Sequence, residues 1–351
     1  MDHAILDRPA LVTGATGYVA GWIVRRLLER GATVHAAVRD PANADKRAHL
    51  DAMARELPGS IRYFAADLLE PGSYADAMAG CGVVFHAASP FFLGVDDPKR
   101  DLVDPAVEGT RSVLAQADAT PTVDRIVLTS SCAAIYGDNI DLRDAAGGVF
   151  TEDDWNTTSS LDHQPYSYSK TLAEREAWRI AGEQDRWRLV AINPSFVLGP
   201  ATNPHAGAES IAFLTHMGDG TLRIGVPDMG MGVVDVRDVA DAHLAAATRP
   251  DARGRHIVSG HDSGLRQIAD ILRAHFGSDH PIPSRSLPRW LVWLVGPVAD
   301  GRLTRRAIAR NVGYPWRGEN AKSRRELGIE YRPLEDTLTE MFEQLVDAGV
   351  L

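Results

Sequence analysis

Residues 166–170 read YSYSK. Tyr166 and Lys170 stand four positions apart, so a helix would carry them on one face, one turn from each other. Tyr168 lies two positions from the lysine and would point about 160° away. The chemistry on offer is proton transfer. An ordinary tyrosine, with a pKa of about 10, is a slow acid at neutral pH. A nearby ammonium favours the phenolate and is expected to lower that value. A phenol tuned in this way can hand a proton to a carbonyl oxygen as hydride reaches the carbon. A serine hydroxyl on a neighbouring strand end can bond the same oxygen, and TSSCAAIYG at 129–137 offers Ser130 and Ser131. The competing reading of YSYSK is the polar first turn of a surface helix.

A second stretch supplies a cofactor site. VTGATGYVAG occupies 12–21, after an apolar run and at the start of a helical pattern. Gly14 and Gly17 permit a tight turn and let a pyrophosphate approach the helix N-terminus, where free N–H groups favour anions. Ala20 takes the third small position, which close helix–strand packing requires. This points to a dinucleotide. The place where an acid would meet an NAD ribose is Val38, followed by Arg39, with Lys46 one segment on. An arginine there pairs with a 2′-phosphate, so NADPH/NADP+ is expected and NADH is the weaker fit. Asp40 complicates this, because it could still reach a ribose hydroxyl. Asp67, in AADL, could accept from the adenine amino group or simply close an Asx-type turn.

The elements that must position these groups follow from the hydrophobic pattern. Strand candidates are 10–13, 33–38, 61–66, 83–88, 125–130 and 188–193, separated by segments long enough for helices. Apolar strands alternating with helices imply an α/β fold, a doubly wound Rossmann-type parallel sheet. Val19, Ile23 and Leu27 recur at four-residue spacing, and Gly31 is placed to end that helix. Beyond 195 the rhythm loosens, which implies a smaller, mostly helical substrate domain. The expected division is 1–195, with 230–260 returning, against 196–229 and 261–351. WLVWLVGPVA at 290–299 is too short to span a bilayer; it is expected to be a buried helix of the small domain, with Trp290 and Trp293 in its core. A membrane-surface contact is the competing reading.

Bulk properties exclude several classes. The 351 residues carry a net charge of −10, which argues against nucleic-acid and anionic-membrane partners. Only two cysteines, Cys81 and Cys132, are present, fitting a reducing, cytoplasmic setting without a disulfide framework. The N-terminus lacks the pattern of a signal peptide. No cluster has metal-ligand spacing, and His86 and His243 are expected to be structural.

The ordered motifs VTGATGYVAGWIV, AAVRDPAN, VFHAASPFF, DPAVEGTRSVL, RIVLTSSCAAIYG, YSYSKTLAEREAW, NPSFVLGP, VVDVRDVADAHLAA and KSRRELGIEYRPLEDTL cover essentially the whole chain. They resemble the extended short-chain dehydrogenases/reductases, in the dihydroflavonol-reductase-like branch with its aldehyde and ketone reductases. The resemblance implies a catalytic Ser131, Tyr166 and Lys170. It places Gly14, Thr16, Gly17, Tyr18 and Val19 on the pyrophosphate, Arg39 and Lys46 on the 2′-phosphate, and Asp67 and Leu68 on the adenine. Ala87, Ala88, Ser89 and Thr129 would follow the cofactor, Pro194 and Val197 would flank the nicotinamide, and Ser210 would touch the phosphates. Phe91, Phe92, Tyr136 and Phe196 would face an apolar or aromatic substrate. The expected protein is therefore an NADPH-dependent carbonyl reductase acting on a small molecule, without nucleic acid or membrane, as a monomer or homodimer. Its rivals are a nucleotide-sugar epimerase or dehydratase, against which Ser131-Cys132 counts where a dehydratase places an acid pair, and a non-catalytic dinucleotide-binding protein.

Overall fold

The computed structural model describes residues 6–89, 95–299 and 303–351. Seven strands form one parallel sheet: β1 (Ala10–Thr13), β2 (Thr33–Val38), β3 (Ser60–Ala65), β4 (Val83–His86), β5 (Arg125–Thr129), β6 (Arg188–Pro194) and, after three short strands, β10 (Gly254–Val258). The intervening strands are β7 (Phe196–Leu198), β8 (Val226–Pro227) and β9 (Gly230–Asp235). The sheet order is β3-β2-β1-β4-β5-β6-β10, so the chain reverses direction of travel between β1 and β4. All the strands point the same way, and the ends of β1, β4, β5 and β6 open onto one edge beside that reversal, where such sheets bind ligands.

Helices cover both faces, because strands buried on two sides cannot leave either face wet. On one face α1 (Tyr18–Glu29), α2 (Ala44–Glu56) and α7 (Val236–Thr248) join the cluster around Ile23, Leu27, Val34 and Phe85. Ile23 and Leu27 are fully buried as their spacing requires, and Gly31, at φ +74°, donates its N–H to Leu28 at the helix end. On the other face α3 (Ala75–Met78), α4 (Asp104–Asp118) and α5 (Pro165–Ala181) pack around Met78, Leu114 and Ile126.

A separate cluster gathers α6 (Glu209–Gly218), α8 (Leu265–Phe276) and α11 (Leu334–Asp347) over a three-stranded sheet, where β9 pairs with β7 and with β11 (His261–Gly264). Two helices stand apart from it, α9 (Arg289–Ala299) and α10 (Arg305–Asn311), beside β12 (Ser286–Leu287), which pairs with β8.

Two features depart from expectation. Strand β10 was not anticipated, since GRHIV carries an arginine and a histidine at its second and third positions. Both are buried, Arg255 in an ion pair with Glu174 and His256, kept neutral by desolvation, in a hydrogen bond with Glu326, so polar partners carry these residues into the sheet. And α9 is not a buried helix. Trp290 is 68% exposed and Trp293 is also exposed, because only one side of α9 meets the small cluster of Val292, Ile308 and Val312.

Candidate active site

The glycine turn fits a dinucleotide. Gly14 adopts φ +62°, and a Cβ there would stand 3.1 Å from the Cα of Ala88, so glycine lets the turn after β1 touch the turn after β4. Gly17 caps α1 in an extended conformation with no side chain on the first-turn N–H groups, and that turn carries no acid. These unclaimed donors are what a pyrophosphate requires. Thr13 organises the neighbouring strand end: its hydroxyl accepts from the Ala88 N–H at 2.9 Å and shares a hydrogen bond with His86 at 3.1 Å. Burial, reinforced by the Lys170 charge, pushes His86 down to about 3 and keeps it neutral.

The other expected cofactor residues have visible roles. Arg39 and Lys46 are exposed, one just past β2 and one in the first turn of α2. Asp40 turns its carboxylate onto the Ala42 N–H at 2.9 Å, closing its own loop beside Arg39. Asp67 likewise accepts from the Leu69 N–H at 2.8 Å in an Asx-type turn. Leu68 and Ser89 line a small cavity that continues to Thr129 and Lys170. The Tyr18 hydroxyl donates to the Gly199 carbonyl at 2.5 Å, and Ser210 donates to the Val197 carbonyl at 2.6 Å. Thr129 donates to His243 Nε2 at 2.7 Å; the direction is fixed because His243 Nδ1 must donate to the Val239 carbonyl. His243 is thus a buried structural histidine, held near 4 by desolvation. Thr16, Val19 and Ala87 are half-buried around the turn, and Pro194 ends β6.

Ser131, Tyr166 and Lys170 converge. The helix α5 begins at Pro165, whose fixed φ suits the first helical position, after Gln164 in the left-handed region at φ 53°. It carries Tyr166 and Lys170 on one side, with Lys170 Nζ 5.9 Å from the Tyr166 ring centre. The Ser131 side chain hydrogen-bonds the Tyr166 phenol. It also accepts from the Ala133 N–H at 3.1 Å, which fixes the serine at the mouth of its turn. Ser130, the neighbouring alternative, is turned inward and donates to Glu174 at 2.5 Å.

The electrostatics differ from the expected pattern. Desolvation pushes Tyr166 up to about 12 even though the residue remains 40% exposed, and the Ser131 hydrogen bond only partly offsets it. The ammonium does not lower the phenol in the protein alone. Burial instead draws Lys170 down to about 8, against the opposing attraction of Glu174. The lysine therefore keeps most of its charge at neutral pH.

Behind the three residues lies a polar hub that the sequence patterns missed. Glu174, one turn past Lys170 and 1% exposed, accepts from Ser130, from Asn193 Nδ2 at 2.7 Å, from Arg255 Nε at 2.7 Å and from Trp178 Nε1 at 3.1 Å. Asn193 also donates to the Ser131 carbonyl at 3.1 Å, so the hub reaches the serine turn directly. Arg255 stacks 3.8 Å from the Trp155 ring centre. The spacing Tyr166, Lys170, Glu174 on one helical stripe is the signal that could have found it. A second anchor holds the start of α5: buried Asp138 accepts from His163 at 2.7 Å, Arg310 at 2.5 Å and Asn311 at 2.7 Å. Burial pushes the Asp138 carboxyl up, but these bonds outweigh it and hold it below its usual range.

Of the expected substrate residues, Tyr136 stacks on Phe150 with ring centres 4.7 Å apart, and Phe196 meets Phe213 edge-on at 5.0 Å. Phe91 and Phe92 lie outside the described residues. Among the described residues no three His, Cys, Asp or Glu side chains are grouped to hold a metal ion.

The NAD dependent epimerase/dehydratase family matches residues 10–260. Cinnamoyl-CoA reductase CAD2 of Medicago truncatula is 35% identical over 350 residues, covering 98% of each chain. Dihydroflavonol 4-reductase of Gerbera hybrida is 32% identical over 277 residues, 76% of this chain and 73% of that one. The crystal structure of Gre2 in complex with NADPH from Candida albicans shares the fold with a TM-score of 0.76 at 28% identity, covering 97% of this chain and 99% of that one. The family match over residues 10–260 and the identity to these reductases make the chain a member of the NAD dependent epimerase/dehydratase family, in its dihydroflavonol-reductase-like branch of NADP-dependent oxidoreductases.

Proposed function

We propose that the protein is an NADPH-dependent carbonyl reductase that converts a ketone or aldehyde to an alcohol, reversibly, with Ser131, Tyr166 and Lys170 as its catalytic residues. The observation that carries this reading is the hydrogen bond between Ser131 and Tyr166, with Lys170 one turn away, at the sheet edge beside the glycine turn. When bound, NADPH supplies the hydride. Ser131 and Tyr166 hold the carbonyl oxygen between two hydroxyls, and Tyr166 releases its phenolic proton to that oxygen. At about 12, the phenol keeps its proton until such an acceptor arrives, which suits an acid rather than a base. The Lys170 ammonium stands one turn along α5, on the same side as the phenolate left behind.

In the same reading Gly14, Thr16, Gly17, Tyr18 and Val19 surround the pyrophosphate, and Arg39 and Lys46 take the 2′-phosphate. Asp67 and Leu68 wall the adenine, Ala87 to Ser89 follow the ribose, and Pro194 and Val197 flank the nicotinamide. Residues 1–195 with 230–260 hold the cofactor, while 196–229 and 261–351 shape the substrate side. Tyr136 and Phe196 favour an apolar or aromatic carbonyl compound, in keeping with relatives named for cinnamoyl-CoA and dihydroflavonol.

The test is a panel of aromatic and aliphatic ketones and aldehydes, followed at the nicotinamide absorbance with NADPH and with NADH. Turnover with NADPH on aromatic carbonyls is expected, and Arg39→Ala should raise KM for NADPH far more than for NADH. No turnover on any carbonyl would overturn the reading.

A further inference from the structure

Helix α9 has two apolar sides, and among the described residues only one has a partner. Val292 and Gly296, four apart, face Leu303 and Ile308. Trp290, Trp293, Leu294 and Val298 follow the spacing i, i+3, i+4, i+8 and share the opposite face. Val298 is 90% exposed, and Trp293 and Leu294 are also open to solvent. Among the described residues eleven large apolar side chains are exposed, and five of them, counting Val295, stand on this one helix. Scattered exposure of single residues needs no explanation, but a contiguous face marks a contact.

The charge around this face says what it contacts. From 285 to 317 the chain carries seven arginines and a single acidic residue within a total of −10, and of the seven Arg310 is already paired with Asp138 and Asp141. Arg285, Arg289, Arg305, Arg306 and Arg317 are exposed. The Arg305 guanidinium lies 4.6 Å from the Trp293 ring centre, so cation and indole present one surface. At physiological ionic strength charges are screened beyond about 8 Å, so the charges a partner at α9 meets first include Arg289 on the helix itself and Arg305 on its indole. A second copy of the chain fits poorly. A helix of 11 residues is about 16 Å long and about 10 Å across, so its open face covers on the order of 160 Å², far short of the roughly 800 Å² per partner of a stable dimer, and self-pairing would set arginine against arginine.

We propose that α9 docks on an anionic lipid surface, with Trp290, Trp293, Leu294 and Val298 at headgroup depth and the flanking arginines on lipid phosphates. The contact is peripheral: no described helix is long and apolar enough to cross a membrane. It departs from the expectation that net charge drawn from the whole chain excludes such a partner, and it does not depend on the catalytic reading.

The full chain is sedimented with vesicles of phosphatidylcholine alone and of equal parts phosphatidylcholine and phosphatidylglycerol, at low and high salt. Binding to the anionic vesicles alone, weakened by salt, is expected. Val298→Asp should reduce binding at least about tenfold, and Arg305→Ser and Arg306→Ser about fivefold each, while thermal unfolding of all three stays unchanged. Absence of binding to either vesicle, or full binding by Val298→Asp, would overturn the proposal. So would a concentration-dependent dimer of the parent chain that Val298→Asp dissolves, because the occupant would then be a second copy.

Discussion

Glu174 and α9 invert the usual rule in opposite directions. One is a carboxylate 1% exposed on α5, one turn past Lys170; the other is a row of tryptophan, leucine and valine facing water. The buried charge persists because four donors converge on it, and it connects β10 through Arg255, β6 through Asn193 and the serine turn through Ser130. The exposed face has no such partner among the described residues. A buried polar group with every bond satisfied serves the interior of the same molecule, whereas an apolar face left open serves something outside it.

This contrast is most directly broken at the hub. Glu174→Leu leaves the Arg255 guanidinium buried and uncompensated, and should cost about 3–5 kcal/mol, read from the denaturant midpoint. A loss under about 1 kcal/mol would mean that the hub is not held by charge. Glu174→Gln separates stability from chemistry. Burial lowers Lys170 to about 8 and Glu174 opposes that shift, so turnover should fall as pH rises through about 8. Without the carboxylate the ammonium loses its proton more easily, and the fall should move to lower pH. An unmoved profile would make Glu174 purely structural. At the other end of the scale, Val298→Asp should change stability by less than about 0.5 kcal/mol, because its side chain buries nothing on folding. A loss comparable to that of Glu174→Leu would show that α9 packs inward after all.

The same inversions mark where the sequence could and could not be read. Helical spacing alone separated Tyr166 from Tyr168, since both partners sit on one element and four residues is one turn. The glycine turn was equally local. Strand β10 escaped notice because Arg255 and His256 look like surface residues until Glu174 and Glu326, distant in sequence, come to meet them. WLVWLVGPVA was read as core because its composition is apolar, and composition says nothing about which face a fold leaves uncovered. The direction of the Tyr166 shift was likewise hidden, for desolvation depends on neighbours gathered from elsewhere in the chain, while an adjacent lysine is visible in the sequence itself.

The central claim is that Tyr166 supplies the proton. It is tested most directly by Tyr166→Phe beside Tyr168→Phe, with single-turnover rates and NADPH affinity measured on each. Tyr166→Phe should lose about 10²–10⁴-fold in rate while NADPH still binds, and Tyr168→Phe should stay close to the parent. Undiminished turnover by Tyr166→Phe, or its collapse in Tyr168→Phe alone, would contradict the assignment.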